Sequence, residues 1–484
     1  LLAWSGGQPT GNGRSVGLIP PNFVAHREGR ALRATWRRHL RLGERTEWSF
    51  TIPAYPIPRA VHYSQRCFES VASQARRGWR DLFVHSAAVS TGTAPYDALE
   101  RASLVTLLTC EERVAGRLVP MGNPFQYRDI WLRDGARAVR ALALAGQHEF
   151  AAEAVHAFEA FQRPSGVLIS QRGQLDGTGQ ALWAFEQAAS HPPNAALARS
   201  LLPTAMRAIR WLRAQTESTA VMRMPWPGLL PPGNPGDNEL VHAPLVGNDA
   251  WSIAGAEATA RLAHLAGDSL AEAESIHLAA ALRAHFEMAL ARVRDLPPSW
   301  TEAGRDWGNF AVSYPTRVLS PSHSRVRALV SRGLAGGLAR YGSPDSLHSY
   351  LGCDLAMTAL LDGHGEIARA YLDSLLARSS STLGQAEICS GRDGGFGTNL
   401  PPHSTAAATA LDLIHALVAV EDGDTLVLGA GLEARTWATA RVDRAPTRFG
   451  ALSVRFDHPA LDRWRVRWQG TVAWTRVRAP SVCA

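Results

Sequence analysis

The sequence predicts a mainly α fold, an (α/α)6 toroid of six helical hairpins with β-sandwich segments flanking it at both ends. Three observations carry this expectation. Apolar residues recur at three-and-four spacing in twelve segments between about 64 and 422. Short and long links alternate between those segments, and a two-residue period takes over before and after them. Twelve helices make six hairpins, a number that favours a closed double ring over an open solenoid, although no internal sequence repeat accompanies it.

Residues 1–60 are rich in Gly and Pro. Trp36, Leu40 and Leu42, then Trp48, Phe50 and Ile52, fall at even spacings, the period of half-buried strands. Pro53, Pro56 and Pro58 then interrupt regular structure and mark a linker. This stretch is expected to end a β domain whose earlier strands precede Leu1. The toroid is expected over 61–423, with helices near 97–113, 131–145, 149–162, 177–189, 198–214, 250–266, 270–293, 321–335, 346–362, 366–378 and 404–420, and a weak one at 307–313. Trp251, Ala254, Ala258, Leu262 and Leu265 illustrate the helical spacing, and Gly146 and Gly267 supply C-terminal stops. Links of a few residues make antiparallel hairpins, and long loops recurring at alternate junctions gather at one end of the array, where function concentrates. Beyond Asp424 the period returns to two, through Leu426 and Leu428, Leu452 to Phe456, Trp464 to Trp468, and Val472 with Trp474, with a turn at Gly470. These residues, 424–484, are expected to form a small C-terminal β domain.

The chain has 484 residues, is 46% hydrophobic and 19% charged, and so can bury a sizeable core without a disorder signature. Its formal charge is +7, but every basic residue is Arg, none is Lys, and the Arg are scattered without dense runs, so no nucleic-acid partner is expected. Five distant cysteines, Cys67, Cys110, Cys353, Cys389 and Cys483, show neither a disulfide framework nor metal-ligand spacing. No metal or cofactor is expected. No apolar run is long enough to span a bilayer, so no membrane partner is expected. The chain starts at Leu1 without a signal-like segment, reads as a fragment or processed form, and leans to a cytoplasmic setting. Nothing in it speaks to oligomeric state.

No nucleotide-binding loop is present, the segment 384–391 is no Gly-x-Ser-x-Gly elbow, and a His-Glu-x-x-His motif is absent. What the long loops hold is acids. Asp237, Glu239 and His242 precede the helix that opens at Asp249; Glu387 and Asp393 precede the last helix; and Asp176 opens the fourth. Asp176 and Asp249 also sit where N-caps belong. Glycoside hydrolysis needs one carboxyl kept protonated for the leaving oxygen and one ionised to activate water or attack the sugar. Around Arg133–Asp134, at the loop-to-helix junction 123–135, Tyr127 and Trp131 interleave with Arg-Asp pairs, a combination suited to sugar hydroxyls and ring faces. Trp131, Trp226, Trp251 and Trp307 lie near the long loops and are the candidates for sugar stacking.

The order of these motifs resembles that of the six-hairpin glycosidases, the group of glucoamylases, trehalases, processing α-glucosidases and bacterial rhamnosidases, over roughly 95–430. Trp131-Leu-Arg133-Asp134 is similar to the element with which glucoamylase-like enzymes hold the terminal sugar, and the segment from Gln174 to Leu182 to the one opening their fourth helix. The resemblance implies an inverting, exo-acting hydrolase of a terminal, α-linked, glucosidase-like sugar on an oligosaccharide or glycoconjugate. It implies a general acid before the sixth helix, where Glu239, Asp237 and Asp249 compete in that order, and a general base at Glu387. The residues expected to bind substrate are Trp131, Arg133, Asp134, Asp176, Trp251, Trp307 and His348. Two departures stand out: Asn248-Asp249-Ala250 lies farther from Glu239 than the family spacing, and Pro401-Pro402-His403 replaces an aromatic turn. Two other readings remain open: a toroidal polysaccharide lyase using Tyr127, Tyr314 or His348 with Arg, and a carbohydrate-binding protein without catalysis.

Overall fold

The computed structural model describes residues 2–4, 13–14, 17–19, 23–28, 31–46, 57–58 and 68–480, apart from 115, 223, 225, 236–240, 335–336, 342, 393–394, 398, 461–462 and 471–473. The chain forms two compact units, Leu1–His85 and Ser86–Ala484.

In the first unit, antiparallel pairs join Leu2–Trp4 to Gly17–Ile19, Val24–Glu28 to Ala31–Thr35, and Gly13–Arg14 to Ile57–Pro58. The strand expected through Trp36, Leu40 and Leu42 is absent: the strand Ala31–Thr35 ends before Trp36, and irregular chain follows through Thr46. Leu40 and Leu42 are exposed among Arg37, Arg38 and Arg41, so their even spacing marks no buried face. Trp48, Phe50 and Ile52 lie outside the described residues. Helix α1 (Phe68–His85), not among the twelve expected, carries Trp79 and Phe83 one turn apart with ring centroids at 6.3 Å.

The second unit is built from α2 (Ala94–Thr109), α3 (Leu132–Leu144), α4 (His148–Phe158), α5 (Asp176–Ser190), α6 (Ala195–Ala220), α7 (Val246–Ala266), α8 (Ser269–Leu290), a 3-10 turn at Gly308–Val312, α9 (Ser324–Gly333), α10 (Cys353–Asp362), α11 (Gly365–Leu376) and α12 (Ser404–Val418). Alternate elements form an inner ring: α3 packs on α5, α5 on α7, α7 on the 3-10 turn, the turn on α10, α10 on α12, and α12 again on α3. The sequence explains the sorting. Every residue of α12 is buried, as are all of α5 after Asp176, because their Ala, Leu, Thr and Gly surround the helix, whereas α8 and α9 bury one stripe each. This is the (α/α)6 toroid with flanking β segments. Asn194 and Asp268 accept from Leu197 and Ala271 backbone N–H at 3.0 Å and start α6 and α8. Gly267, at φ 82°, closes α7 in the left-handed region.

Helices α5 and α7 approach closely at Gly179, where a Cβ would overlap the Trp251 carbonyl oxygen. The helix expected over 346–362 begins only at Cys353. Residues Ser343–His348 are instead the central strand between Ala339–Tyr341 and Ile388–Ser390, with His348 in register with Ile388. The cross-strand partner lies forty residues away, so helical spacing read locally could not reveal it.

After α12, Ala419–Asp422 and Thr425–Leu428 make a hairpin, and Trp474–Val477 pairs parallel to its second strand. A four-stranded antiparallel sheet runs Arg463–Gln469, Gly450–Ala460, Arg441–Thr447 and Ala88–Ser90. Trp437, fully buried, packs edge-on against Phe456 at 4.7 Å and Trp464 at 5.3 Å. Val472 lies outside the described residues. Among the described residues no helix is long and apolar enough to cross a membrane.

Candidate active site at the start of the inner helices

The inner elements begin side by side. Gly177 of α5 abuts Leu132 of α3, a Cβ on Gly247 of α7 would lie 2.6 Å from the Gly308 carbonyl oxygen, and Thr405 of α12 donates to Asp134 of α3. Helix N-termini present unpaired N–H groups and positive potential, so this end of the ring favours anionic and hydroxyl-bearing groups.

Arg133 packs between two indoles, its guanidinium 5.5 Å from the Trp131 ring and 4.7 Å from the Trp307 ring. Its Nε lies 3.8 Å from Asp134 Oδ2. Tyr127 stacks on His403 at 6.1 Å, and Tyr350 stacks on the same imidazole at 5.7 Å. Glu387 lies beside it, 9% exposed. His348 Nε2 is 3.5 Å from Oε1, His403 Nε2 is 3.9 Å from Oε2, and the Asn399 amide donates to Oε2. Burial opposes the Glu387 charge, but the His348 hydrogen bond, the His403 ring and Asn399 outweigh it and hold the carboxyl at about 2. Burial pushes His403 below the usual imidazole range, and pushes the phenols of Tyr127 and Tyr350 well up, with Asp134 and Glu387 adding to the effect.

Several buried polar atoms here have no hydrogen-bond partner: Trp131 Nε1, Asp134 Oδ2, Gln180 Oε1, Asn248 Nδ2, Trp307 Nε1 and both ring nitrogens of His403. All but Gln180, one turn into α5, belong to the first turns of inner elements or the residues just before them. Buried groups left unpaired in a folded protein carry a large desolvation cost, and a polar ligand would remove it.

The structure thus brings together Trp131, Arg133, Asp134, Trp307, His348 and Glu387. Asp176, at the first position of α5, accepts from Gln180 Nε2 at 2.9 Å. Trp251 sits one layer deeper, edge-on to Trp183 at 5.7 Å and under Arg137, which pairs with Asp354 at 2.5 Å. Asp249 is 1% exposed and both its oxygens are taken: Oδ1 accepts from Leu230 N–H and Oδ2 from Trp300 Nε1, each at 2.8 Å. Burial raises it to about 7, against those two hydrogen bonds. Asp237, Glu239 and Asp393 lie outside the described residues. Tyr350, Asn399 and Thr405 were not singled out from sequence. Of these, only Thr405 adjoins a stretch that departs from the family pattern, Pro401-Pro402-His403. Among the described residues no group of three or more His, Cys, Asp or Glu could hold a metal ion.

The closed ring of six hairpins is a fold that this chain shares with solved glycosidase structures. Solved structures similar to this chain include a GH78 family rhamnosidase of Bacillus sp. GL1, at 14% identity and TM-score 0.56, covering 81% of this chain and 43% of that one. The chain therefore matches less than half the length of that enzyme. A bacterial glucoamylase complexed with acarbose matches at 11% identity and TM-score 0.54, over 72% of this chain and 59% of that one. A rhamnosidase from Klebsiella oxytoca with rhamnose bound matches at 15% identity and TM-score 0.52, over 69% and 66% respectively. No family model matches the sequence, and no curated protein does.

Proposed function

We propose that the chain is an inverting, exo-acting glycoside hydrolase that removes a terminal, α-linked, glucosidase-like sugar from an oligosaccharide or glycoconjugate. The observation that carries the proposal is Glu387: a buried carboxylate, kept ionised, beside a ring of buried polar atoms that lack partners. In this reading Glu387 takes a proton from water as the water's oxygen bonds to the anomeric carbon. A second carboxyl protonates the departing glycosidic oxygen. Inversion asks for about 6.5–9.5 Å between the two carboxyls, room for that water. The acid is sought in the loop before α7, at Glu239 first and Asp237 second. Asp249 ranks last, since both its oxygens already hold N–H donors and pin Leu230 and Trp300. Arg133, Asp134 and Asp176 grip hydroxyls, and Trp131 and Trp307 offer ring faces. The rhamnose- and acarbose-bound neighbours support a sugar ligand for a chain of this fold.

A panel of aryl glycosides and disaccharides, read by the anomer of the first product in NMR, tests the proposal. Inversion of configuration is expected, and Glu387→Gln should lower kcat by about 10²–10⁴-fold, the range for a general base. Retention of configuration, or a fully active Glu387→Gln variant, would reject it. The raised phenols of Tyr127 and Tyr314 count against a lyase, which needs an easily deprotonated base.

A further inference from the structure

The four-stranded sheet gathers arginines that are spread along the sequence. On the strand Arg463–Gln469, Arg463, Arg465 and Arg467 alternate with Trp464, Val466 and Trp468, so all three share one face, and all three are exposed. Pairing register sets Arg467 directly opposite Arg455, and Arg455 directly opposite Arg441. Three arginines therefore lie in a row across three strands, each more than half exposed. Strand spacing puts that row at about 10 Å, and two-residue repeats put Arg463 about 13 Å from Arg467. The inner face, with Val442, Val454 and Phe456, is buried in the core.

Like charges set directly opposite on a sheet destabilise it. Two aspartates on this face offset part of that repulsion: Asp443 binds Arg455 at 2.7 Å, and Asp457 binds Arg467 at 2.7 Å. Five arginines still face two aspartates. Arg463 and Arg465 make no ion pair among the described residues.

We propose that this face is a docking surface for a carboxylated polysaccharide, a polyuronate. Charge complementarity calls for an anion, and the carboxylates of Asp443 and Asp457 already show the geometry these guanidiniums accept. The two aspartates also distinguish the polymer. They accept hydrogen bonds from the hydroxyls that a polyuronate carries between its carboxylates, whereas the phosphodiester backbone of DNA has no hydroxyl to donate. No aromatic ring lies among Arg441, Asp443, Arg455, Asp457, Arg463, Arg465 and Arg467, so the face offers no platform for stacking bases. The surface is independent of the reading of Glu387 and would hold the chain on an acidic polymer whichever sugar the inner ring accepts.

Affinity electrophoresis of the full chain in gels containing polygalacturonate, dextran or DNA tests this. Retention by polygalacturonate and not by dextran is expected, weakening as salt is raised. The triple variant Arg463→Gln, Arg465→Gln, Arg467→Gln should bind about tenfold more weakly, three exposed ion pairs' worth, with an unchanged melting temperature. Removing the same charge elsewhere, by Arg199→Gln, Arg210→Gln and Arg294→Gln, should change binding by less than about twofold. If the triple variant melts early, Arg465→Gln alone, which breaks no ion pair, should still weaken retention. The proposal is overturned by equal retention on dextran, by equal loss in the two triple variants, or by tighter retention on DNA.

Discussion

Glu387 and Asp249 are both buried acids at the loop end of the same ring, yet their surroundings push them apart. Two imidazoles and an amide hold Glu387 ionised, while Asp249 has two N–H donors and no cation, and burial prevails. Because the folded value of Asp249 stands at about 7, above its ordinary 3.8, its protonated form favours the fold. That contribution is complete below about pH 4 and is lost as pH rises through 7. Melting temperatures measured from pH 4 to 8 should therefore fall less steeply in Asp249→Asn than in the parent chain. Arg133 and Arg128 make a second contrast. Arg133 is nearly enclosed between indoles, whereas Arg128 is over half exposed and paired with Glu112. Arg133→Ala should raise KM by at least about tenfold, the loss of a charge-assisted contact, and Arg128→Ala should leave KM within about twofold. Steady-state kinetics on any substrate found in the glycoside screen decides between them.

At the scale of elements, periodicity located the elements of the ring, passed over α1, and missed what depends on distant partners. Eleven helical segments and the weak one at Trp307 all match observed elements, because three-and-four spacing is a local consequence of burying one stripe. The strand Ser343–His348 escaped notice since its partners lie at Ala339–Tyr341 and Ile388–Ser390, and only their pairing sets His348 beside Glu387. Close packing was equally hidden. Gly179 reads as an ordinary residue of a small-residue helix, yet its missing side chain lets α5 reach the Trp251 backbone of α7. Gly179→Ala should destabilise the second unit by about 2–3 kcal/mol or more, since backbone, unlike a rotamer, cannot step aside. Urea unfolding followed by far-UV circular dichroism would show it as a lowered midpoint.

For the whole molecule, closure of the ring is the decisive property, and charged groups buried inside it tie its elements together. Arg140 of α3 reaches Asp412 of α12 at 3.0 Å, the Tyr314 hydroxyl at 3.1 Å, and Gln187 of α5. Removing one partner of a buried pair leaves the other charge uncompensated, so Arg140→Ala should cost about 3–5 kcal/mol. Arg140→Ala combined with Asp412→Ala should cost less than the sum of the two single changes. Chemical denaturation of the three variants measures both.

By itself, the sequence determined the helical periods, the alternation of short and long links, the strands after Asp424, and the residue types at each helix start. Those features follow from local spacing and turn chemistry. Only the tertiary structure decided that Trp131 and Trp307 flank one guanidinium, that His348, His403 and Asn399 surround Glu387, that Asp249 points into packing contacts, and that scattered arginines line up on one sheet face. Each of those depends on which distant segments meet, and burial, charge pairing and register are set by that meeting rather than by neighbours along the chain.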